Sequence, residues 1–155
     1  MSADEMVKEA ASLSKIHENI VVKIPMTTEG MKAVKILSSE NIKTNVTLIF
    51  SAMQALQAMR SGAFYISPFI GWKEVNAEDV RQFIEEVVTI RDNYNFNSEV
   101  IVAAVRNARQ IVDAAVVGAD IVTAGLQVYK DGFHHPYTVE GIGKFTSFWD
   151  QTAYE

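Results

Sequence analysis

The sequence predicts an α/β protein with a parallel sheet, because short apolar segments alternate with amphipathic segments along the whole chain. The segment 20–24 has the length and the β-branched content of a buried parallel strand. The segment 77–93 places its apolar residues on one stripe of a helix. Strict alternation of strand and helix implies right-handed crossovers between parallel strands.

The predicted strands and helices alternate along the whole chain and are joined by short loops. The strands are expected over 20–24, 44–50, 63–69, 99–105 and 119–124. The helices are expected over 3–15, 28–39, 52–61, 77–93, 107–117 and 138–151, with a short helical turn over 126–131. No linker, low-complexity tract or charge block divides these elements, so we expect a single domain over residues 1–155.

Residues at the predicted helix ends support these boundaries. Thr27, Thr28 and Glu29 place cap-type and acidic residues where the second helix starts, and the segment 76–79 does the same for the helix 77–93. Gly62 and Gly118 each follow a helical segment directly before a strand, as helix-terminating glycines do.

The composition excludes several classes of function. Hydrophobic residues make up 48% of the 155 residues and charged residues 21%, which is typical of a packed globular protein. A net charge of -5 disfavours nucleic acid as a partner, since phosphate binding requires clustered Lys and Arg. We expect no membrane partner, because no apolar run reaches about 18 residues. The polar, acidic start and the absence of cysteine predict a cytoplasmic protein without disulfides, zinc–thiolate sites or thiol catalysis.

Lys23 is the most informative residue, because it lies inside the apolar strand 20–24. Desolvation of a lysine disfavours its ammonium form and lowers its pKa. A neutral amine can attack a carbonyl substrate and form a Schiff base. The alternative interpretation is a lysine near the strand end whose ammonium group reaches solvent.

Two architectures fit a chain of alternating strands and helices: an open doubly wound sheet, and part of a (β/α)8 barrel. In both, the functional site lies at the carboxyl ends of the strands. None of those ends carries the acidic cluster that a phosphoacceptor receiver domain needs. No G-x-G-x-x-G motif follows a strand either, which disfavours a flavin or dinucleotide site.

Alternation along the strands predicts a pocket of polar side chains beside Lys23. An amine, an amide, hydroxyls, an aromatic ring and a guanidinium group on one surface suit a polar, phosphorylated carbonyl compound. Ala104 and Arg106 are expected on one face of the fourth strand. The other predicted members of the pocket are Asn45, Thr47, Ser67 and Phe69.

Several of these residues lie in motifs with a specific order. The sequence Val22-Lys23-Ile24-Pro25 is followed by Thr28-Glu29-Gly30, Thr44-Asn45-Val46-Thr47-Leu48-Ile49-Phe50-Ser51 and Ile66-Ser67-Pro68-Phe69-Ile70-Gly71. In these motifs the chain resembles the transaldolase family, in the small subfamily that includes the fructose-6-phosphate aldolases. The similarity continues through Arg106-Asn107, Gly118-Ala119-Asp120 and His135-Pro136.

The resemblance implies a class I aldolase-type enzyme on a (β/α)8 TIM barrel. The lysine matching Lys23 would form a Schiff base with a ketose phosphate, without a metal or organic cofactor. A dihydroxyacetone unit would then pass to an aldose phosphate, as in the pentose phosphate pathway. Sugar phosphates are therefore the expected partners.

The resemblance also implies roles for the other pocket residues. Asn45 and Ser67 would line the covalent intermediate, and Thr47 would help to hold the catalytic water. A phenylalanine at the position of Phe69 favours dihydroxyacetone transfer over free aldol cleavage. Arg106 matches a phosphate ligand of the family.

The chain departs from the family in ways that affect this expectation. The first three strands of the family have no counterpart, so we expect a partial, N-terminally truncated barrel that lacks an acid/base aspartate. General acid–base catalysis typically contributes about 10²- to 10⁴-fold. Trp72 stands where a second phosphate-binding arginine is common, and Ala104 replaces a common serine. The alternatives are a catalytically impaired remnant with a binding or structural role, and a fructose-6-phosphate aldolase.

A partial barrel also predicts self-association. Its two unpaired sheet edges and its apolar surface favour contact with another chain. The small transaldolases form decameric rings in which the terminal helix packs on a neighbouring subunit. Phe145, Phe148 and Trp149 in the last predicted helix suit such packing, so we expect a homo-oligomer.

Overall fold

The computed structural model describes residues 1–152 of the chain. Its strands are β1 (Val22–Pro25), β2 (Thr44–Ile49), β3 (Tyr65–Pro68), β4 (Glu99–Val105) and β5 (Ile121–Ala124). Its helices are α1 (Ala3–Leu13), α2 (Thr28–Ser39), α3 (Ala52–Arg60), α4 (Gly71–Val75), α5 (Val80–Asn93), α6 (Ala108–Val116), α7 (Leu126–Phe133) and α8 (Pro136–Asp150).

The five strands form one sheet, and their spatial order follows their order in the chain. Every neighbouring pair is parallel. A doubly wound sheet reverses its strand order at a switch point, whereas the strands of a (β/α)8 barrel follow one another around the sheet. The sequential order therefore confirms the predicted partial barrel and excludes the doubly wound alternative for this sheet.

One face of the sheet packs against the helices and forms the hydrophobic core. The strands contribute alternate residues to this face, as a half-buried strand should. The helices add small and branched side chains that allow close packing. The core residues include Val22, Ile24, Val46, Ile66, Val100 and Val102 of the strands and Met6, Val34, Leu37, Ala58, Ile84 and Val87 of the helices.

The other, concave face carries the predicted pocket residues, and two irregularities decide which of them share it. Leu48 and Ala104 have positive φ angles of 62° and 59°, and the register of the sheet shifts at both positions. The buried face of β4 therefore passes from Val102 to Val105. The prediction that Ala104 and Arg106 share a face by simple alternation is wrong, because the extra residue makes Ala103 the counterpart of Arg106.

The structure confirms α2 and β4 with the predicted bounds and corrects others by a few residues. Helix α4 lies in a segment predicted to be a loop, since five residues are too few to show helical periodicity. Helix α5 begins at Val80 because the carboxylate of Asp79, rather than Asn76, accepts the capping hydrogen bond. Helix α8 begins at Pro136, which suits a first helical position.

Among residues 1–152, no helix combines the length and the apolar character needed to cross a bilayer.

Candidate active site

Lys23 lies on β1, the edge strand, directly beside Asn45 of β2. Its Nζ is 5.9 Å from the centroid of the Phe69 ring, which follows β3. The amine therefore extends across the concave face toward the third strand. Its side chain is exposed, so the predicted desolvation of Lys23 is wrong for this structure. The physical reason is that five strands leave the concave face open, whereas eight strands close a barrel around it.

Asn45, the register partner of Lys23 on β2, forms a hydrogen-bonded pair with Ser67. The Ser67 hydroxyl donates to Oδ1 of Asn45 at 2.8 Å, and Ser67 is buried. This bond orients the Asn45 side chain and leaves its amide N–H groups to donate to a ligand oxygen. The two residues were predicted to share a pocket, and the structure brings them into direct contact.

Thr47 lies two residues beyond Asn45 on β2 and is paired with Pro25 of β1. Its backbone carbonyl accepts the N–H of Met26 at 2.9 Å. This bond ties the carboxyl end of β1 to β2. Because alternation holds between Asn45 and Thr47, both side chains lie on the concave face with Lys23.

Three aromatic rings stand at the carboxyl ends of β2 and β3. The ring of Phe50 is stacked on Trp72 at a centroid distance of 5.5 Å and is 5.9 Å from Phe69. Trp72 is 54% exposed, so one part of its indole faces solvent. The contribution of Phe50 was missed by sequence reasoning, although its position directly after a strand was a signal.

Arg106 directly follows β4, and its exposed side chain runs along Gly71, the first residue of α4. A Cβ added at Gly71 would lie 3.1 Å from Cγ and Nε of Arg106, so the glycine provides the space for this side chain. Among residues 1–152, no hydrogen bond or ring contact joins Arg106 to Lys23. The structure thus groups Lys23, Asn45, Thr47, Ser67 and Phe69, and places Arg106 beside that group at the end of β4.

Two buried or half-buried glutamines hold the ends of β2 and β4. Sequence reasoning did not predict this role for either of them. Gln54 accepts the backbone N–H of Phe50 at 2.8 Å, and Gln110 accepts the backbone N–H of Arg106 at 2.7 Å. Each glutamine lies three residues after a capping residue, Ser51 or Asn107. The repeated spacing was a signal for such a motif, which resembles a capping box.

A metal site would require a cluster of ligands. Within residues 1–152, no group of three or more His, Cys, Asp and Glu side chains is arranged to hold a metal ion.

One known protein family matches this chain over almost its whole length. Residues 1–153 match the family model described as Transaldolase/Fructose-6-phosphate aldolase. The chain belongs to the transaldolase/fructose-6-phosphate aldolase family. The family resemblance read from the motifs around Lys23, Asn45 and Ser67 is thereby confirmed.

Several curated relatives are similar over nearly the whole chain. A 6-deoxy-6-sulfo-D-fructose transaldolase of Priestia aryabhattai is 50% identical over 154 residues, which are 99% of this chain and 68% of that protein. A protein of the same name from Priestia megaterium shows the same values. A probable transaldolase of Geotalea uraniireducens is 51% identical over 148 residues, 96% of this chain and 69% of that protein.

Membership in this family makes the chain a transaldolase-like enzyme of carbohydrate metabolism. The carboxyl ends of parallel barrel strands carry the active sites of such folds. Phe69 and Arg106 directly follow β3 and β4 at that side of this sheet, and the Lys23 Nζ extends toward the Phe69 ring.

Proposed function

We propose that this chain is a transaldolase that forms its covalent intermediate on Lys23. The observation that carries the proposal is the position of the Lys23 Nζ on the concave face, 5.9 Å from the Phe69 ring centroid and beside the Asn45–Ser67 pair. An amine that can reach a carbonyl held by neighbouring donors is the arrangement that imine chemistry requires.

The proposed reaction begins when the amine of Lys23 attacks the C2 carbonyl of a ketose. A carbon–nitrogen bond forms, and the carbonyl oxygen leaves as water. The C3–C4 bond of the imine then breaks, which releases an aldehyde and leaves a three-carbon enamine on Lys23. This enamine attacks the aldehyde carbon of an acceptor sugar, and water hydrolyses the new imine.

The neighbouring side chains suit the positioning of that intermediate. The amide N–H groups of Asn45, held by the bond from Ser67, would donate to a hydroxyl oxygen of the bound ketose. Thr47, with its hydroxyl on the same face, would hold the water that adds to the imine. These roles rest on the geometry of the described residues and on the family resemblance.

Borohydride trapping with fructose 6-phosphate tests the role of Lys23. Reduction of the imine should give a stable adduct whose position is found by peptide mass spectrometry. The adduct should appear on Lys23 and be absent from Lys23→Ala.

Lys43 offers a matched control, because its Nζ also lies over a phenylalanine ring, 4.7 Å from the Phe64 centroid, but at the start of β2. Lys43→Ala should be trapped as fully as the parent chain. An adduct that persists in Lys23→Ala would contradict the proposed mechanism. Saturable binding of fructose 6-phosphate without any adduct would favour the non-catalytic alternative.

The terminal anion of the donor has two candidates, phosphate and sulfonate. Fructose 6-phosphate is the donor expected from the family, and it would connect the reaction to the pentose phosphate pathway. The names of the two Priestia relatives favour 6-deoxy-6-sulfofructose as a second candidate. A sulfonate carries a single negative charge, which suits a site where Arg106 is the one arginine that directly follows a described strand. Comparing kcat/KM for the two donors decides between them.

We also propose that the chain forms a homo-oligomer through α8. Nearly every residue of this helix is exposed, including Tyr137, Phe145 and Phe148. Burial of such rings stabilises an interface by removing apolar surface from water. A second copy of the same chain is the proposed occupant, in line with the ring assemblies of the subfamily.

A further inference from the structure

Gln110 joins two parts of the molecule that border the proposed site. It lies in the first turn of α6 and is 2% exposed. Its Oε1 accepts the backbone N–H of Arg106 at 2.7 Å, and its Nε2 donates to Oε2 of Glu74 on α4 at 2.6 Å. A single buried amide therefore bonds both to the end of β4 and to the short helix that follows β3.

The two bonded segments are the walls of the space that the Arg106 side chain occupies. Gly71 begins α4, and a Cβ there would be 3.1 Å from the Arg106 side chain and 2.2 Å from the backbone oxygen of Ala104. The distance between α4 and the end of β4 therefore limits the space available to Cγ and Nε of Arg106. Gln110 maintains that distance through its bonds to Glu74 and to the Arg106 backbone.

Gln54 provides an internal comparison, because the same local motif occurs at the end of β2. Leu48 and Ala104 take the same left-handed conformation two residues before Phe50 and Arg106. Gln54 accepts the N–H of Phe50, as Gln110 accepts that of Arg106. Within residues 1–152, however, the side chain of Gln54 makes no hydrogen bond to α4. The bridge to Glu74 thus distinguishes Gln110 from its counterpart.

We propose that Gln110 is a positioning residue that preorganises Arg106 to bind the terminal phosphate or sulfonate of the substrate. An arginine side chain loses rotamer freedom when it binds an anion, and fixed walls reduce that loss. The inference rests on the proposed function in that the anion belongs to a sugar donor. Gln110 itself acts through Arg106 and does not touch the substrate.

Titration with inorganic phosphate tests this role without relying on turnover. The Nε–Hε NMR signal of Arg106, assigned with Arg106→Lys, reports binding at this side chain. Gln110→Met keeps the length of the side chain but removes both hydrogen bonds. Phosphate should bind roughly ten-fold more weakly to this variant, the lower end of the about 10- to 100-fold range known for residues that support metal ligands.

Gln54→Met is the matched control, because it removes the equivalent bond at the end of β2. Its phosphate affinity at Arg106 should stay within about two-fold of the parent. Equal weakening in both variants would reduce the role of Gln110 to general stability and would overturn the inference. Failure of the parent chain to bind phosphate at Arg106 would overturn it as well.

Enzyme kinetics provide a second readout. Gln110→Met should raise KM for fructose 6-phosphate while leaving kcat, and KM for uncharged fructose, close to the parent values.

If Lys23 trapping fails but the phosphate titration behaves as expected, the proposed chemistry is wrong and the anion site remains. If trapping succeeds but Gln110→Met leaves phosphate affinity unchanged, the inference about Gln110 is wrong.

If Gln110→Met does not fold, variants of Glu74 test the same bridge. Glu74 is exposed, so its replacement should not prevent folding. Glu74→Gln and Glu74→Ala both remove the negative charge, but only the former keeps an acceptor for the Gln110 amide. Phosphate should bind more weakly to Glu74→Ala than to Glu74→Gln. Equal affinities would contradict the bridge.

Discussion

At the scale of single residues, the candidate site depends on polar pairs that are already formed in the free protein. Ser67 is buried and donates to Asn45, so neither side chain must be reoriented when a substrate arrives. Groups held in place before binding lower the free energy of the bound intermediate more than mobile groups do. Lys23, by contrast, is exposed and has a long side chain that can follow the substrate.

Replacing either member of the polar pair should reveal this coupling. Ser67→Ala removes the donor to Asn45 and should lower the free energy of unfolding by about 1 kcal/mol. It should also reduce kcat/KM by roughly ten-fold, since the Asn45 amide is no longer oriented. A double-mutant cycle with Asn45→Ala measures the interaction by urea unfolding and by kinetics. Strictly additive effects in both measurements would show that the pair does not act as a unit.

Gly71 is a position where the surrounding structure leaves no space for a side chain. It is buried, and an added Cβ would lie 2.2 Å from the carbonyl oxygen of Ala104. The N–H of the preceding residue, Ile70, donates to the Ala103 carbonyl at 3.0 Å, which holds the segment close to β4. Any side chain at Gly71 must separate α4 from β4.

Gly71→Ala should therefore be destabilising by about 1–3 kcal/mol, as overpacking in a closely packed region usually is. It should also weaken phosphate binding at Arg106, whose side chain occupies the same space. Gly143→Ala on α8 is the control, because no atom beyond its chain neighbours and the backbone of its own helix lies within 4 Å of its added Cβ. That substitution should be neutral or stabilising by up to about 1 kcal/mol, since alanine favours a helix. Urea denaturation of both variants measures the difference.

At the scale of secondary structure elements, side-chain bonds between neighbouring elements hold the helical layer together. Asp120, just before β5, accepts the N–H of Val100 on β4 at 2.8 Å and pairs with Arg91 at the end of α5. Partial burial opposes the charge of Arg91, but its bonds to Asp92 and Asp120 raise its pKa on balance. This arrangement fixes β5 against β4 and α5.

Glu29 forms a similar connection between the first two helices. One of its carboxylate oxygens accepts the N–H of Ala3 at 3.0 Å, and the other pairs with Lys32 at 2.6 Å. The hydrogen bond from Lys32, and then that from the Ala3 backbone, lower the pKa of Glu29. The charged carboxylate thus stabilises the start of both α1 and α2.

This connection predicts a pH dependence of stability. Because the folded-state pKa of Glu29 is lowered, its stabilising effect is present above the unfolded-state pKa and is lost as the pH falls through the folded-state pKa. Urea unfolding between pH about 7 and about 3 measures this change. In Glu29→Gln, the acid-induced loss of stability should be smaller than in the parent. An identical pH profile for the two chains would contradict the assignment.

At the scale of the whole molecule, the sheet and the last helix both leave large surfaces open. The five parallel strands bury one face under the helices and expose the concave face that carries Lys23. On α8, Phe145 is 74% exposed and Phe148 is 66% exposed. Exposed apolar surface of this kind favours association with another chain.

Sedimentation velocity tests the proposed homo-oligomer. The parent chain should sediment as an assembly, whereas Phe145→Ser combined with Phe148→Ser should shift it toward the monomer. The reason is that burial of each aromatic side chain stabilises the interface by about 1.5–3 kcal/mol, and the serines remove this contribution. Val116→Ser on α6 is the control, since Val116 is equally exposed at 66% but lies outside α8. A parent chain that sediments as a compact monomer would contradict the proposal.

Much of this fold follows from local patterns. The bounds of α2 and β4 were predicted to the residue, because Thr27 caps a regular amphipathic helix and β4 is a continuous apolar run. Helix α4 was missed, since its position depends on the bond from Ile70 to β4 and not on periodicity. The faces of β4 were assigned incorrectly after Val102, because a left-handed residue such as Ala104 leaves no clear signal when it is not glycine.

The candidate site, too, could be predicted from the sequence only in part. Motif order and strand alternation were sufficient to predict the family and to group Lys23 with Asn45, Thr47, Ser67 and Phe69, since side chains alternate with a fixed period along a strand. The exposure of Lys23, the stacking of Phe50 on Trp72 and the bridge from Gln110 to Glu74 required the folded chain. Each depends on contacts between residues that are distant in sequence, or on how far the sheet closes, and no local pattern encodes either property.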